Sequence, residues 1–358
     1  MKILFNNIYK DKTVLITGHT GFKGSWLALW LNMLGAKVIG YSLNSITETN
    51  HFDLLNMDIN SIIGDVRDPK KIKEVFSSYN PDVIFHLAAQ SLVRRSYKNP
   101  IETFETNLMG TINIFEASRI TESVKAIVNI TSDKCYENKE WLWGYRENEP
   151  LGGNDPYSAS KACAELITNS YRNSFFNLNE YGKSHNVLLA SCRSGNVIGG
   201  GDWAEDRLIP DIMRSIHKKE KVVIRNPNSI RPWQHVLDPL FGYLKVGQKL
   251  LENKKEFAEA WNFGPTSNEN VAVEDIVKMI KNSWDKFDYE IKQNNINLHE
   301  ANFLKLDSSK AYTKLKCKNI WNIKKTSEKT VEWYKEFYEN NKVITVNQLD
   351  SYVNEIEE

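Results

Sequence analysis

Cysteine is scarce in this chain: four in 358 residues, Cys135, Cys163, Cys192 and Cys317, widely spaced and with no CxxC pair. That excludes a disulfide scaffold, a redox CxxC site and a zinc ribbon, and reads as buried thiols in a reducing compartment. An excess of one charge is also missing, with 46 Lys plus Arg against 45 Asp plus Glu and a net charge of +1. No single-sign field therefore holds nucleic acid or an anionic membrane, and an anionic ligand must be recognised locally. There is no long apolar run either. The longest, around Trp26 to Leu31, is too short for a membrane span, and Met1-Lys2-Ile3-Leu4-Phe5 runs into Asn6-Asn7 rather than a signal peptide's apolar stretch. The expected location is the cytoplasm. Seven histidines show no spacing such as HExxH, so no metal is expected. What is present is ordinary globular composition, 41% hydrophobic and 11% aromatic, without repeats or low-complexity tracts.

The chain exceeds the roughly 250 to 300 residues at which single cores stop growing, so two domains or one large domain with additions is expected. From Lys12 to about Thr131, short β-branched runs alternate with helical patterns, the signature of a parallel sheet wound by helices. The pattern predicts strands at Thr13–Thr17, Lys37–Tyr41, Ile62–Gly64, Val83–Leu87, Lys125–Ile130 and Val187–Arg193. Helices are predicted over Phe22–Leu34, from Pro69, over Ile101–Arg119 and over Tyr157–Phe176. The fold class is α/β: a Rossmann-like, doubly wound parallel sheet of six or more strands, with a smaller mixed α/β C-terminal substrate region. We expect a dinucleotide-binding domain over 1–198, to which parts of 225–265 return, and a substrate region with C-terminal helices over 199–358. The tail after Asn341 reads as a peripheral helix or frayed end.

Gly18, Gly21 and Gly24 stand as GxxGxxG between the first strand and the first helix, where bare backbone can approach a pyrophosphate at the helix N-terminus. Asp65-Val66, at the end of the third strand, offers a carboxylate to an adenine amino group. At the ribose position, Tyr41-Ser42-Leu43-Asn44 has neither the usual acid nor an arginine for a 2′-phosphate. NAD is favoured, with Asn44 or Ser42 near the ribose.

Tyr157-Ser158-Ala159-Ser160-Lys161 places a phenol and an ammonium on one helical face. An ammonium near the phenol is expected to lower its pKa, so that tyrosinate takes a proton from a substrate hydroxyl while hydride leaves the same carbon. At the end of the fifth strand, Thr131-Ser132-Asp133-Lys134-Cys135-Tyr136 gathers a hydroxyl, an acid and a base at the carboxyl edge of the sheet.

With these residues in this order, the chain resembles the extended short-chain dehydrogenase/reductases over roughly Lys12 to Trp333, and within them the nucleotide-sugar 4,6-dehydratases. His86-Leu87-Ala88-Ala89-Gln90, Asn107, Arg193-Ser194-Gly195-Asn196-Val197-Ile198-Gly199, and Arg231-Pro232-Trp233 with Asp238 carry the likeness. So do His19 to Trp26, Gly200 to Ala204 and Asp206 to Asp211, which look like the branch acting on CDP-glucose. The resemblance implies NAD held by Gly18, Gly21, Phe22, Gly24, Asp65, Val66, Leu87, Ala88, Ala89, Tyr157 and Lys161. It implies catalysis by Ser132, Asp133, Lys134, Tyr157 and Lys161, and substrate binding by Gln90, Asn196, Arg207 and Arg231. The implied reaction is transient C4 oxidation, elimination across C5–C6 and hydride return to C6, giving a 4-keto-6-deoxy sugar nucleotide for bacterial surface polysaccharides. Lys134 stands where the dTDP-glucose enzymes carry glutamate, which leaves open whether it is the C5 base. A homodimer or homotetramer is the family's habit. The alternatives are a dehydratase for another sugar such as a GDP-heptose, a 4-epimerase, or a non-catalytic NAD-sensing protein.

Overall fold

Alternation along the strands decides the architecture. In β1 (Thr13–Thr17), Val14 and Ile16 enter one buried apolar cluster while Leu15 enters another. The same division recurs in β2 (Lys37–Ser42), β4 (Val83–His86), β5 (Ala126–Ile130) and β6 (Leu188–Ser194), so the sheet is covered on both faces. The computed structural model describes residues 3–224, 226–265, 271–292 and 303–357. One face is covered by α1 (Phe22–Met33), whose Trp26, Leu27, Trp30 and Leu31 are fully buried, and by the helix Leu237–Leu251. The other packs against α3 (Pro69–Tyr79) and, after the short helices α4 (Val93–Lys98) and α5 (Pro100–Phe104), α6 (Gly110–Arg119) and α7 (Pro156–Ser174). A short helix, α2 (His51–Leu55), precedes β3 (Asn60–Ile63).

The seven strands run parallel in the order Ala260–Phe263, β6, β5, β4, β1, β2, β3. This is the Rossmann-like arrangement. The order reverses between β1 and β4, and a crevice opens outside the carboxyl ends of strands at such a switch point. Smaller two-stranded pairs follow: Val197–Ile198 with Gln234–His235, Val222–Ile224 with Tyr289–Ile291, and Ile230–Arg231 with Val271–Ala272. Residue 225, where the segment expected to return to the dinucleotide-binding domain begins, lies outside the described residues.

The helix expected over Ile101–Arg119 is present and runs on through a π turn at Glu105–Met109, which periodicity alone does not reveal. One expectation needs correction. The tail is neither peripheral nor frayed: the helix Thr345–Glu355 buries Leu349, Tyr352 and Val353, and Tyr352 Oη donates to Asp238 at 2.8 Å. Three of the four thiols, Cys135, Cys192 and Cys317, are buried. No helix among the described residues is long and apolar enough to cross a membrane.

Candidate active site

The turn from β1 into α1 is shaped by what cannot fit there. Gly18 has φ +78°, and a Cβ on it would lie 2.9 Å from the Ala88 amide nitrogen. A Cβ on Gly24 would lie 2.0 Å from the Gly18 carbonyl oxygen. Gly21 donates to that same carbonyl at 3.1 Å, and the N-terminus of α1 has no side-chain cap, as an anion-binding helix start requires. Thr17 ties the crevice walls together: its hydroxyl bonds His86 Nδ1 at 2.7 Å and accepts from the Leu87 and Ala88 amides at 3.2 Å each.

Every residue given a cofactor-binding, catalytic or substrate-binding role above lines one cavity of about 840 Å³ above these strand ends. Gly18, Gly21, Phe22 and Gly24 form one wall and Leu87, Ala88 and Ala89 another, with Asp65 and Val66 at the far end. Ser42 and Asn44 also line it, Ser42 sharing a 2.8 Å hydrogen bond with Thr20. Hydrogen bonds from Arg67, at 2.6 Å to one carboxylate oxygen, hold the Asp65 carboxyl below the usual range.

The reactive group sits at the opposite end. Asp155 caps α7, accepting from the Ser158 amide at 2.9 Å, and Pro156 opens the helix, so Tyr157 and Lys161 follow one turn apart. The Tyr157 amide donates to Ser96 at 3.1 Å. Its carbonyl accepts from Ser160, whose hydroxyl accepts from Asn107 at 2.8 Å. Asn107 lies in the π turn and also pairs both ways with the Gln90 backbone, which clamps one cavity wall to α7.

Ser132 donates to Asp133 Oδ1 at 2.9 Å and accepts from the Lys134 amide at 3.2 Å. Asp133 is 3% exposed, and its Oδ2 has no hydrogen-bond partner among the described residues. Burial raises its pKa, against the opposing pull of Lys134, the Ser132 hydrogen bond, Arg231 and Lys23. Burial also lowers Lys161 to about 8, and its ammonium donates to the Ile130 carbonyl at 3.3 Å. The expectation of an acidified phenol is corrected here. Tyr157 is pushed up to about 12 because burial outweighs the Ser132 hydrogen bond and the Arg207 charge.

Arg207 reaches Asp202 at 3.0 Å and Ser91 at 3.1 Å, while Arg231 is buried and Asn196 lines the cavity beside them. Gln90 differs: its amide is committed to Leu92 and Thr103, bracing the loop. Among the described residues no group of three or more His, Cys, Asp or Glu is placed to hold a metal.

Sequence reasoning passed over two features. Lys23, Ser194 and Tyr243 meet at the floor of the reactive end; the available signal was a lysine in the first turn of α1, where the helix dipole disfavours a cation. Glu165, one turn beyond Lys161, pairs with Arg193 at 2.7 Å, both under 5% exposed, and accepts from Thr131 and Ser191. Burial opposes its ionisation, but Arg193 and these hydroxyls hold its pKa below 4.5. Glu165→Ala leaves the Arg193 charge buried and unpaired, and is expected to cost about 3–5 kcal/mol in chemical denaturation. The pair's contribution stands above about pH 4.5 and is lost as the medium falls through the depressed value.

A family model described as GDP-mannose 4,6 dehydratase matches residues 15–331. A CDP-glucose 4,6-dehydratase of Salmonella typhimurium is 51% identical over 331 residues, covering 92% of each chain. A probable dTDP-glucose 4,6-dehydratase of Sinorhizobium fredii is 26% identical, covering 90% of this chain and 93% of its own. Among solved structures, an epimerase of Methanothermobacter thermautotrophicus superposes with TM-score 0.80 at 23% identity, covering 94% and 96%. The dTDP-glucose 4,6-dehydratase of Bacillus anthracis, in complex with NAD, gives 0.73 at 20%, covering 92% and 98%.

Proposed function

The chain belongs to the GDP-mannose 4,6 dehydratase family, and we propose that it is an NAD-dependent CDP-glucose 4,6-dehydratase, releasing CDP-4-keto-6-deoxy-D-glucose and water. One observation carries the chemistry: a buried carboxyl with a free oxygen, Asp133 Oδ2, beside Ser132, in the same cavity as the Tyr157–Lys161 pair. An epimerase has no leaving hydroxyl to protonate and no use for such an acid. The choice of CDP-glucose rests on likeness to the Salmonella enzyme.

The residues fit a dinucleotide, because the glycine cradle leaves no room for a Cβ and Asp65, Ser42 and Asn44 supply polar partners at the far end. NAD, when bound, supplies a hydride acceptor for C4, a hydride donor for C6 and a positively charged ring. Tyr157 removes the O4 proton with Ser132 and Lys161 beside it. Asp133 then protonates the departing C6 hydroxyl. Lys134 faces C5, as a base in its neutral form or as an ammonium beside the enolate. Asn196, Arg207 and Arg231 hold the diphosphate, and net redox is zero.

We place the protein in the cytoplasm, consistent with its free cysteines. We infer a homodimer built on the helices around α5 and α7, whose apolar Ile101, Met109 and Leu166 stand 74%, 47% and 56% exposed. The decisive experiment incubates the protein with NAD and, separately, CDP-, dTDP-, UDP- and GDP-glucose, and follows sugar mass and cofactor absorbance. Loss of one water from the CDP sugar, without accumulating NADH, is expected; unchanged mass with inverted C4 would make it an epimerase.

A further inference from the structure

The loop 199–207 joins the strand Val197–Ile198 to the helix Leu208–Lys218 and carries Arg207, yet much of what fixes it comes from the far end of the chain. Its glycines allow a close approach. A Cβ on Gly200 would collide with the Trp333 ring, and one on Gly201, which has φ +87°, with the His51 ring. Trp333 lies on the helix Ile323–Asn340 and is itself held: its indole donates to Thr345 at 2.8 Å, and Thr345 shares a 2.8 Å hydrogen bond with His51.

The next residue, Tyr334, is fully buried and makes an unusual pair of bonds. Its hydroxyl donates to the Asp202 carbonyl at 2.5 Å and accepts from the Asp202 amide at 2.9 Å, so one side-chain oxygen holds both backbone polar groups of a single residue. The Asp202 carboxylate is 5% exposed and divides its oxygens: Oδ1 accepts from the Ala204 amide at 3.0 Å, and Oδ2 accepts from Arg207 Nη1 at 3.0 Å. Nη2 of the same guanidinium donates to Ser91 at 3.1 Å, on the loop after β4. Asp202, Arg207 and Ser91 all line the cavity. A guanidinium has five N–H donors, so one held in this way still has donors for a phosphate.

A long side chain binds an anion more tightly when its rotamer is fixed beforehand, because less freedom is lost on binding. We propose that Tyr334 is a positioning residue for substrate binding: it anchors Asp202, and Asp202 sets the Arg207 guanidinium toward the diphosphate. This rests on the diphosphate role given to Arg207 above. The sign of the Asp202 effect is informative. As a bare charge it repels a diphosphate, so its removal would tighten binding; as the holder of Arg207, its removal weakens binding.

The test measures dissociation constants of CDP and of cytidine by calorimetry for wild type, Tyr334→Phe, Arg207→Ala and the double variant. Phenylalanine keeps the ring that packs edge-on against Trp203 and removes only the hydroxyl. Arg207→Ala is expected to weaken CDP about 10- to 100-fold, and Tyr334→Phe about three- to tenfold. Cytidine, which has no phosphate, should change by less than about twofold in either. In the double variant Tyr334→Phe should add nothing to Arg207→Ala, since both act through one guanidinium. In turnover, Tyr334→Phe should raise KM for CDP-glucose and leave kcat near wild type. CDP binding unchanged in Tyr334→Phe, equal losses for CDP and cytidine, or a full added loss in the double variant overturns the proposal. Should Tyr334→Phe not fold, Asp202→Ala decides: weaker CDP binding supports the proposal, and unchanged or tighter binding overturns it. If Arg207→Ala binds CDP as wild type does, the diphosphate role of Arg207 itself falls and takes this proposal with it.

Discussion

Asp133→Asn is expected to let C4 oxidation proceed and to slow dehydration by about 10²–10⁴-fold, the usual contribution of a positioned general acid. The amide has nearly the carboxyl's shape, so Ser132 keeps an acceptor where it now bonds Oδ1 at 2.9 Å. It has no proton to give. In the wild type, burial outweighs Lys134, Ser132, Arg231 and Lys23 in raising the Asp133 pKa, which favours the protonated acid. Its second oxygen has no hydrogen-bond partner among the described residues, which suits it to serve a departing hydroxyl. An amide of nearly the same shape should cost little stability, so the melting temperature is the control. Mixing the variant with NAD and CDP-glucose should raise NADH absorbance toward one equivalent per site while no water leaves the sugar. Undiminished dehydration would remove Asp133 from the acid role.

How much of this was legible before the fold depends on whether the signal was local. Strands β1, β2, β4, β5 and β6 announce themselves because burial on both faces forces near-continuous apolar runs such as Val14-Leu15-Ile16 and Ala126-Ile127-Val128, whereas the edge strand β3 is mostly exposed and begins at Asn60, two residues before the expected start. GxxGxxG and Tyr-x-x-x-Lys fix backbone and helix geometry within a few residues. Their convergence on one cavity follows from the rule that ligands bind at the switch point. Tertiary partners were illegible. Asn107 clamps α7 to the Gln90 loop only because the π turn carries it, and no sequence period marks that turn. The Thr345–Glu355 helix read as a tail because the surfaces it buries against, around Trp30, Trp321 and Asp238, come from distant segments. The phenol of Tyr157 was misjudged for the same reason: motif spacing shows the nearby ammonium but not the burial that overrides it.

That misjudgement sharpens what Tyr157→Phe should do. At about 12, the Tyr157 phenol keeps its proton in the protein alone at neutral pH. The Ser132 hydrogen bond and the Arg207 charge already pull against burial at that value, so its proposed service as a base needs further stabilisation of the tyrosinate, for which the ammonium of Lys161 stands one turn away. Phenylalanine keeps the ring and its packing and removes the oxygen proposed to take the O4 proton. The expected loss is about 10²–10⁴-fold in C4 oxidation, with NAD affinity changed by no more than a few-fold. The pH profile carries a second mark. Lys161, lowered by burial to about 8, is charged below that value and neutral above it, so wild-type C4 oxidation should bend downward on the alkaline side. The two variants then separate the steps by a single observable. Asp133→Asn should accumulate NADH on the enzyme and Tyr157→Phe should accumulate none, because one lacks the proton donor after the hydride has moved and the other lacks the proton acceptor before it can. NADH forming at the wild-type rate in Tyr157→Phe would transfer the base role to Ser132 or Lys134.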